Sequence, residues 1–320
     1  MPADSTLRRI LVIKLGALGD FIYAVGPMQA IRRHHPNAEI TLLTRPAYAE
    51  LGERTELFDQ VWTDREPKLW NLPGLIALRS RLIGGRFDRI YDLQTSDRTG
   101  LYHRLFWPGN APEWSGIVPG CSHYHHYKRP TLIHTQDRQR TQLEIAGIED
   151  VRASDLSFMT SDIARFGLPA DFALLIPGSS LKMAVKRWPA EFYGAIAKQF
   201  EEQGLLPVLI GGTEDADAIA TIKSICPTAR DLSGQTTLYD LPELARAACL
   251  AIGNDTGPMH IAALAGCQTV AIFSTGSFPD KAAPRGDNVQ LLVAECLTEL
   301  SVETVTQACE NLLTNSSARI

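Results

Sequence analysis

With 320 residues, 45% of them hydrophobic and 21% charged, the chain has the composition of a soluble globular protein of one large or two ordinary domains. A net charge of −5 argues against nucleic acid as the main partner, and six scattered cysteines (121, 226, 249, 267, 296, 309) with no C-x-x-C pair argue against structural zinc. No apolar run reaches the roughly 18 residues of a membrane span, and the opening MPADSTLRR lacks the apolar centre of a signal peptide, so a cytoplasmic location is expected.

Charge is unevenly divided. Residues 1–170 hold 21 Lys and Arg against 19 Asp and Glu, whereas 171–320 hold 10 against 17, and seven of the eight histidines lie in the first half. The first half is the better suited to an anionic ligand.

Residues 10–13 (ILVI) form an unbroken apolar run, the pattern of a parallel strand covered on both faces. Gly16 and Gly19 break it. Asp20 follows at a position suited to an N-cap, and Phe21, Ile22, Ala24, Val25 and Met28 supply the apolar positions of a helix. Pro27 sits too deep for the first turn, which predicts a kink or interruption near Gly26. Strand, glycine turn and helix together present backbone N–H groups and one carboxylate at the carboxyl edge of a sheet, where ligands bind. Asp20 reads there either as a plain helix cap or as a working carboxylate.

Residues 39–44 (EITLLT) read as a second strand and 61–62 as part of a third. A helix over 73–83 ends at Gly84-Gly85, and 89–93 (RIYDL) is a strand. From 94 to about 130 the chain is rich in Gly, Pro, His and aromatics, which predicts long loops, and a helix over 136–148 follows. Near residue 168 the pattern restarts. Strands at 172–176, 205–210, 250–252 and 269–273 alternate with helices at 190–203, 214–225, 241–248 and 259–265, so an α/β chain with two parallel sheets is expected, its domains spanning 1–167 and 168–300. Ser301 and the apolar spacing after it predict a helix over the tail, 301–320.

Three loops carry candidate chemistry. Residues 177–189 (PGSSLKMAVKRWP) join a strand to a helix; Gly178, Ser179 and Ser180 offer donors, and Lys182, Lys186 and Arg187 add positive charge, a set suited to a diphosphate or to a solvated surface loop. Residues 253–260 (GNDTGPMH) do the same. Pro258 fits the first helical turn, so the N–H groups of Gly257, Met259 and His260 point toward the preceding loop with Thr256 as cap, an anion-stabilising arrangement. His260 taken alone reads as a buried polar residue. In Gly211-Gly212-Thr213-Glu214 the glutamate is placed to accept hydrogen bonds from ribose hydroxyls. Asp215-Ala-Asp217 has a D-x-D metal pattern, but it lies in a predicted first helical turn, where its charge complements the dipole.

KLGALGD (14–20), PGSSLKMAVKRWP (177–189), GGTED (211–215), LSGQTTL (232–238) and GNDTGPMHIAA (253–263) together resemble, in order and over most of the chain, the ADP-heptose:lipopolysaccharide heptosyltransferase family, glycosyltransferase family 9. The resemblance implies a GT-B fold, two Rossmann-like domains with parallel sheets facing across a cleft, the first binding acceptor, the second the nucleotide sugar, and the tail helix packing back on the first. It implies an inverting glycosyltransferase that moves a sugar, heptose, from a nucleotide diphosphate donor, ADP-heptose, to a lipopolysaccharide core or related saccharide. Asp20 is then the general base and Lys186 the holder of the donor phosphates. Gly19, Ser179, Ser180, Asp255, Thr256, Gly257 and His260 surround the donor, while Glu214 and Asp215 compete for the ribose. No cofactor and no metal are implied. The partners are a nucleotide-sugar donor and an anionic saccharide or glycolipid acceptor, with peripheral contact at the inner face of the cytoplasmic membrane.

No acceptor motif is legible. Arg45, Arg98, His103, Arg104, Lys128 and Arg129 are candidate cations for an anionic saccharide, each also readable as surface charge. His123, His125 and His126 lack an acidic ligand pattern, so acceptor contact or plain surface is expected there rather than a metal. A dinucleotide oxidoreductase would need G-x-G-x-x-G and an acidic residue ending the second strand; this chain has G-x-x-G, with Thr44 and Arg45 at that edge. A nucleotide-sugar 2-epimerase of the same fold and a non-catalytic nucleotide-sugar binding protein are the alternatives.

Overall fold

The computed structural model describes residues 7–126, 133–179 and 184–317, and the chain divides into two compact units, Met1–Phe158 and Met159–Ile320. The boundary precedes the expected one because 159–166 already belongs to the second unit. Phe166 is buried in that unit's core, and Ser161 and Arg165 bond the Asp240 carboxylate, both at 2.6 Å.

The first unit runs β1 (Arg9–Ile13), α1 (Leu18–His34), β2 (Glu39–Thr44), α2 (Ala49–Arg54), β3 (Gln60–Thr63), α3 (Leu72–Gly84), β4 (Arg89–Asp92), α4 (Asp97–Arg104), β5 (Glu113–Gly116), β6 (His123–Tyr124) and α5 (Thr135–Ile145). Its strands pair in parallel in the order β3-β2-β1-β4-β5-β6. Ile10, Leu11, Val12 and Ile13 are wholly buried at the centre, each contributing about 1.5–3 kcal/mol of transfer free energy. The stretch expected as long loops holds α4, β5 and β6. A capping box between Ser96 and Thr99 starts α4, and the two strands are too short to show a period.

Helix α1 departs from its expectation twice. Its N-cap is Ala17, so Asp20 lies inside the first turn rather than at the cap. The helix also continues through Pro27 without interruption. Proline leaves the carbonyl four residues back, that of Tyr23, without a donor. Ser154 supplies it: the hydroxyl donates to Tyr23 C=O (3.2 Å) and accepts from Gly26 N–H (2.9 Å). Gly26 permits this approach, since a Cβ there would collide with the carbonyl oxygen of Arg152.

The second unit runs β7 (Phe172–Ile176), α6 (Ala190–Glu202), β8 (Leu206–Leu209), α7 (Ala216–Ile225), β9 (Arg230–Asp231), α8 (Asp240–Ala247), β10 (Leu250–Asn254), α9 (Gly257–Leu264), β11 (Thr269–Ser274), α10 (Pro279–Ala282), β12 (Val289–Ala294) and α11 (Val302–Ser317). The strand order is β12-β11-β10-β7-β8-β9, again parallel, so both units share one topology. β9 and β12, not expected from the sequence, form its edges. α11 packs on α6 and on β10 to β12, burying Val305, Ala308 and Cys309 in this unit's core.

In each sheet the chain order reverses between two central neighbours, β1 and β4 in the first unit and β7 and β10 in the second. The loops leaving those strands open a crevice at the carboxyl edge, the usual ligand position in doubly wound sheets.

Candidate active site

The second unit brings two of the expected loops together at its switch point. After β7, Ser179 Oγ donates to the backbone carbonyl of Asp255 (3.0 Å), and Lys186 Nζ closes on the Asp255 carboxylate. Asn254, at the end of β10, ties the loops into one body. Its side-chain oxygen accepts from Trp188 N–H and the Tyr193 hydroxyl, both at 3.0 Å, and its amide donates to Pro177 C=O at 2.6 Å. Gly253 beneath it is required by crowding, since a Cβ would stand 2.6 Å from the Met259 sulfur and 2.8 Å from Ile176 C=O.

Thr256 is the N-cap residue of α9 by position, but its hydroxyl makes no capping bond. Gly257 opens the helix, Pro258 follows in the first turn, and His260 is buried on it. The aligned N–H groups of this helix start lie one residue beyond the Lys186–Asp255 pair, where an anion gains from both the dipole and the cation.

The third loop separates Glu214 from Asp215. Asp215 is buried; it accepts from Arg187 (3.0 Å) and from Gly212 N–H (3.0 Å), and its carboxylate fills the space a side chain at Gly178 would need. Glu214 is exposed. Arg187 also donates to Ser179 C=O at 2.6 Å, so this guanidinium is a brace between loops. Ser180 and Lys182 lie outside the described residues.

In the first unit Gly19 and Asp20 are half-buried in the first turn of α1. Gly16, at φ +118°, lies under the ring of Tyr48, which stacks on Phe21 at 5.5 Å between centroids. Burial pushes the Tyr48 phenol up, Arg45 opposing and Asp20 adding to the rise. Behind the turn lies Lys14, fully buried, donating to Leu93 C=O at 3.4 Å. Burial brings its pKa down to about 8, against the pull of Asp20 and Asp92 and with the push of Arg138. Asp92 ends β4. Burial raises it to about 6, opposed by Thr99, by the N–H groups of Thr95 and Gln94, and by Lys14. Arg138 reaches this edge from α5 and bonds the Thr95 hydroxyl.

The candidate acceptor cations divide differently. Arg98 bonds the Tyr102 hydroxyl (2.8 Å) and Pro67 C=O (2.8 Å) and shares Glu66 with Arg45, so both guanidiniums are already engaged in a scaffold. His103 packs edge-on against Trp114, and Arg104 is exposed at the end of α4. Lys128 and Arg129 lie outside the described residues. His123 meets Glu113 at 3.5 Å, His125 is buried, and His126 packs against Tyr124; among the described residues no three metal-ligating side chains converge.

Sequence reasoning missed Asn254, Arg187 as a brace, Lys14, Asp92, Tyr48 and Arg138. Two had a signal: Lys14 directly follows a run of central-strand residues, and Asn254 ends another, where a polar side chain must find partners.

Two Rossmann-like units of one topology, the second with a cation and a helix start at its switch point, are the architecture of the GT-B class, with a place suited to a nucleotide diphosphate in the second unit. Residues 128–309 match glycosyltransferase family 9 (heptosyltransferase). Lipopolysaccharide heptosyltransferase 2 of Escherichia coli K12 is 35% identical, with 89% of this chain and 87% of that one covered. Among solved structures, the family 9 glycosyl transferase of Veillonella parvula superposes with a TM-score of 0.77 at 24% identity, over 98% of this chain and 99% of that one. An E. coli heptosyltransferase solved with ADP gives 0.72 at 16% identity, over 95% and 99%. The chain belongs to glycosyltransferase family 9, the heptosyltransferase family, and is an enzyme that transfers sugar. No helix among the described residues is long and apolar enough to cross a membrane.

Proposed function

We propose that this enzyme transfers heptose from ADP-heptose to a saccharide of the lipopolysaccharide core, with inversion, at the inner face of the cytoplasmic membrane and in peripheral contact with it. The observation that carries the donor half is the convergence of Lys186, Ser179 and the start of α9 on Asp255 at the switch point. An acceptor hydroxyl attacks the anomeric carbon from the face opposite the diphosphate, its proton passes to the Asp20 carboxylate, and the carbon–oxygen bond to the diphosphate breaks. Lys186 offsets charge on the departing diphosphate and the Gly257 N–H donates to it, with the Ser179 hydroxyl turning from the Asp255 carbonyl to join them, so the chain itself supplies what a metal ion would in that task. Thr256 and His260 shape the donor's surroundings, and the exposed Glu214, rather than the buried Asp215, faces the ribose. Arg138 supplies positive potential near Asp20 for an anionic acceptor.

The test is Asp20→Asn, assayed for ADP binding by calorimetry and for transfer with and without acceptor. Donor binding should persist while transfer falls by roughly 10²–10⁴-fold. Unchanged transfer would remove Asp20 from the base role, and sugar release without acceptor would favour an epimerase or hydrolase.

A further inference from the structure

Helix α3 is apolar on two sides. Leu78 and Leu82 enter the core. At 3.6 residues per turn, Leu72, Ile76, Arg79 and Ile83 fall within about 60° of one another on a different side, and the three apolar members are exposed. The turn before the helix adds exposed Leu69 and Trp70, the latter 77% exposed. Trp107, 78% exposed, stands beside the same helix, its carbonyl accepting from Arg79 at 3.2 Å. Exposed apolar groups this large and this close together mark a surface that something covers.

The charges nearby decide what covers it. Residues 65–86 carry Arg65, Lys68, Arg79, Arg81 and Arg86 but one carboxylate, Glu66, which is already bonded to Arg45 at 2.6 Å. The Lys68 ammonium lies 5.1 Å from the centroid of the Trp70 ring. Arg79 and Arg86, with Ile83, Phe87 and Phe106, line an open groove of about 490 Å³ along the helix's C-terminal half. A second copy placed on this face by two-fold symmetry would set cations against cations. A bilayer of anionic lipid offers the complement: apolar depth for indole and aliphatic side chains, and phosphates for the Lys and Arg heads on their long stems.

We propose that residues 68–83, together with Trp107, form the face by which the enzyme rests on an anionic membrane surface. The proposal rests on the reading that the acceptor is a membrane glycolipid, and it turns an unspecified peripheral contact into a particular surface.

The full chain is sedimented with vesicles of phosphatidylglycerol and phosphatidylcholine in equal parts, and with vesicles of phosphatidylcholine alone. The wild-type protein should pellet with the anionic vesicles, less so as salt is raised. Trp70→Ser combined with Ile76→Ser should lower the partition coefficient roughly tenfold or more, with unchanged thermal midpoint and unchanged transfer to an acceptor saccharide stripped of its lipid. Absence of wild-type binding, or equal binding by the variant, overturns the proposal. So does a dimer in sedimentation velocity that the double substitution dissolves without any vesicle binding, which would assign the face to a second copy. Loss of vesicle binding in the variant, with neither protein able to transfer sugar, would uphold the surface and sink the catalytic reading instead.

Discussion

The ammonium of Lys186 and the carboxylate of Asp255 are joined in the second unit, so the cation assigned to the donor phosphates is held by an anion from the opposite loop of the same crevice. Asp255 acts through the lysine, aiming it until a diphosphate arrives. Lys186→Ala should lower kcat/KM for the donor roughly 100-fold, and Asp255→Asn less. The double variant should resemble Lys186→Ala alone, because contacting residues are not additive. Steady-state kinetics of the three variants checks this, and additive losses would mean that Asp255 touches the donor independently.

Ser154 substitutes for the hydrogen bond that Pro27 cannot make. Ser154→Ala leaves the buried carbonyl of Tyr23 without a donor, at a cost of about 1–3 kcal/mol, and takes from Gly26 N–H its bond outside the helix. Denaturant unfolding should show a loss on the order of 1–3 kcal/mol at unchanged m-value. Pro27→Ala in the Ser154→Ala background should recover part of it by returning a donor to Tyr23. No recovery would mean that the serine stabilises through Gly26 N–H rather than by supplying a donor to Tyr23.

This repair explains where sequence reading stops. The apolar runs of β1, β7, β10 and β11 were legible because strands covered on both faces need continuous hydrophobics, and the loops leaving β7 and β10 because donors and cations cluster there. What pairs across long separations was not: Ser154 lies 128 positions from Gly26, and nothing local to Pro27 announces it. α4, β5 and β6 were hidden by their brevity among Gly and Pro. Arg98 and Lys186 look alike as solitary cations in a sequence, yet one braces Glu66, Tyr102 and Pro67 while the other lines the switch point.

The burial of Asp215 against the exposure of Glu214 separates a structural carboxylate from an accessible one. Glu214→Ala should raise KM for ADP-heptose roughly tenfold, the worth of one lost hydrogen bond of about 1.4 kcal/mol, with little change in melting temperature. Asp215→Ala takes the carboxylate from the Arg187 guanidinium, leaving it the Ser179 carbonyl, and removes the side-chain acceptor of the Gly212 N–H, and should lower the melting temperature by several degrees. Calorimetric melting with donor kinetics distinguishes the two, and a reversed pattern would place Asp215 at the ribose.

Asp92 and Lys14 give the first unit a pH signature. Asp92, at about 6 in the folded chain against roughly 3.9 unfolded, binds more protons folded than unfolded between those values, so its contribution to stability is lost as pH rises from about 4 to about 6. Lys14, at about 8 against roughly 10.4, binds fewer protons folded, so stability returns as pH rises from about 8 to about 10.4. Taken alone these two groups give a minimum between about pH 6 and 8, each limb on the order of 2–3 kcal/mol. It is superposed on the opposite slopes of the lowered Asp59 and Glu113 carboxyls in acid and of the raised Cys267 and Cys309 thiols in alkali, so the difference between wild type and variant is what isolates Asp92. Asp92→Asn keeps an oxygen for the Gln94 and Thr95 N–H groups while removing the titration, and should abolish the acidic limb and leave the alkaline one. Thermal midpoints of the wild type and Asp92→Asn from pH 4 to 10 measure both limbs. If the acidic limb survives the substitution, the buried group that titrates there is not Asp92, and the electrostatic account of the floor beneath Asp20 fails with it.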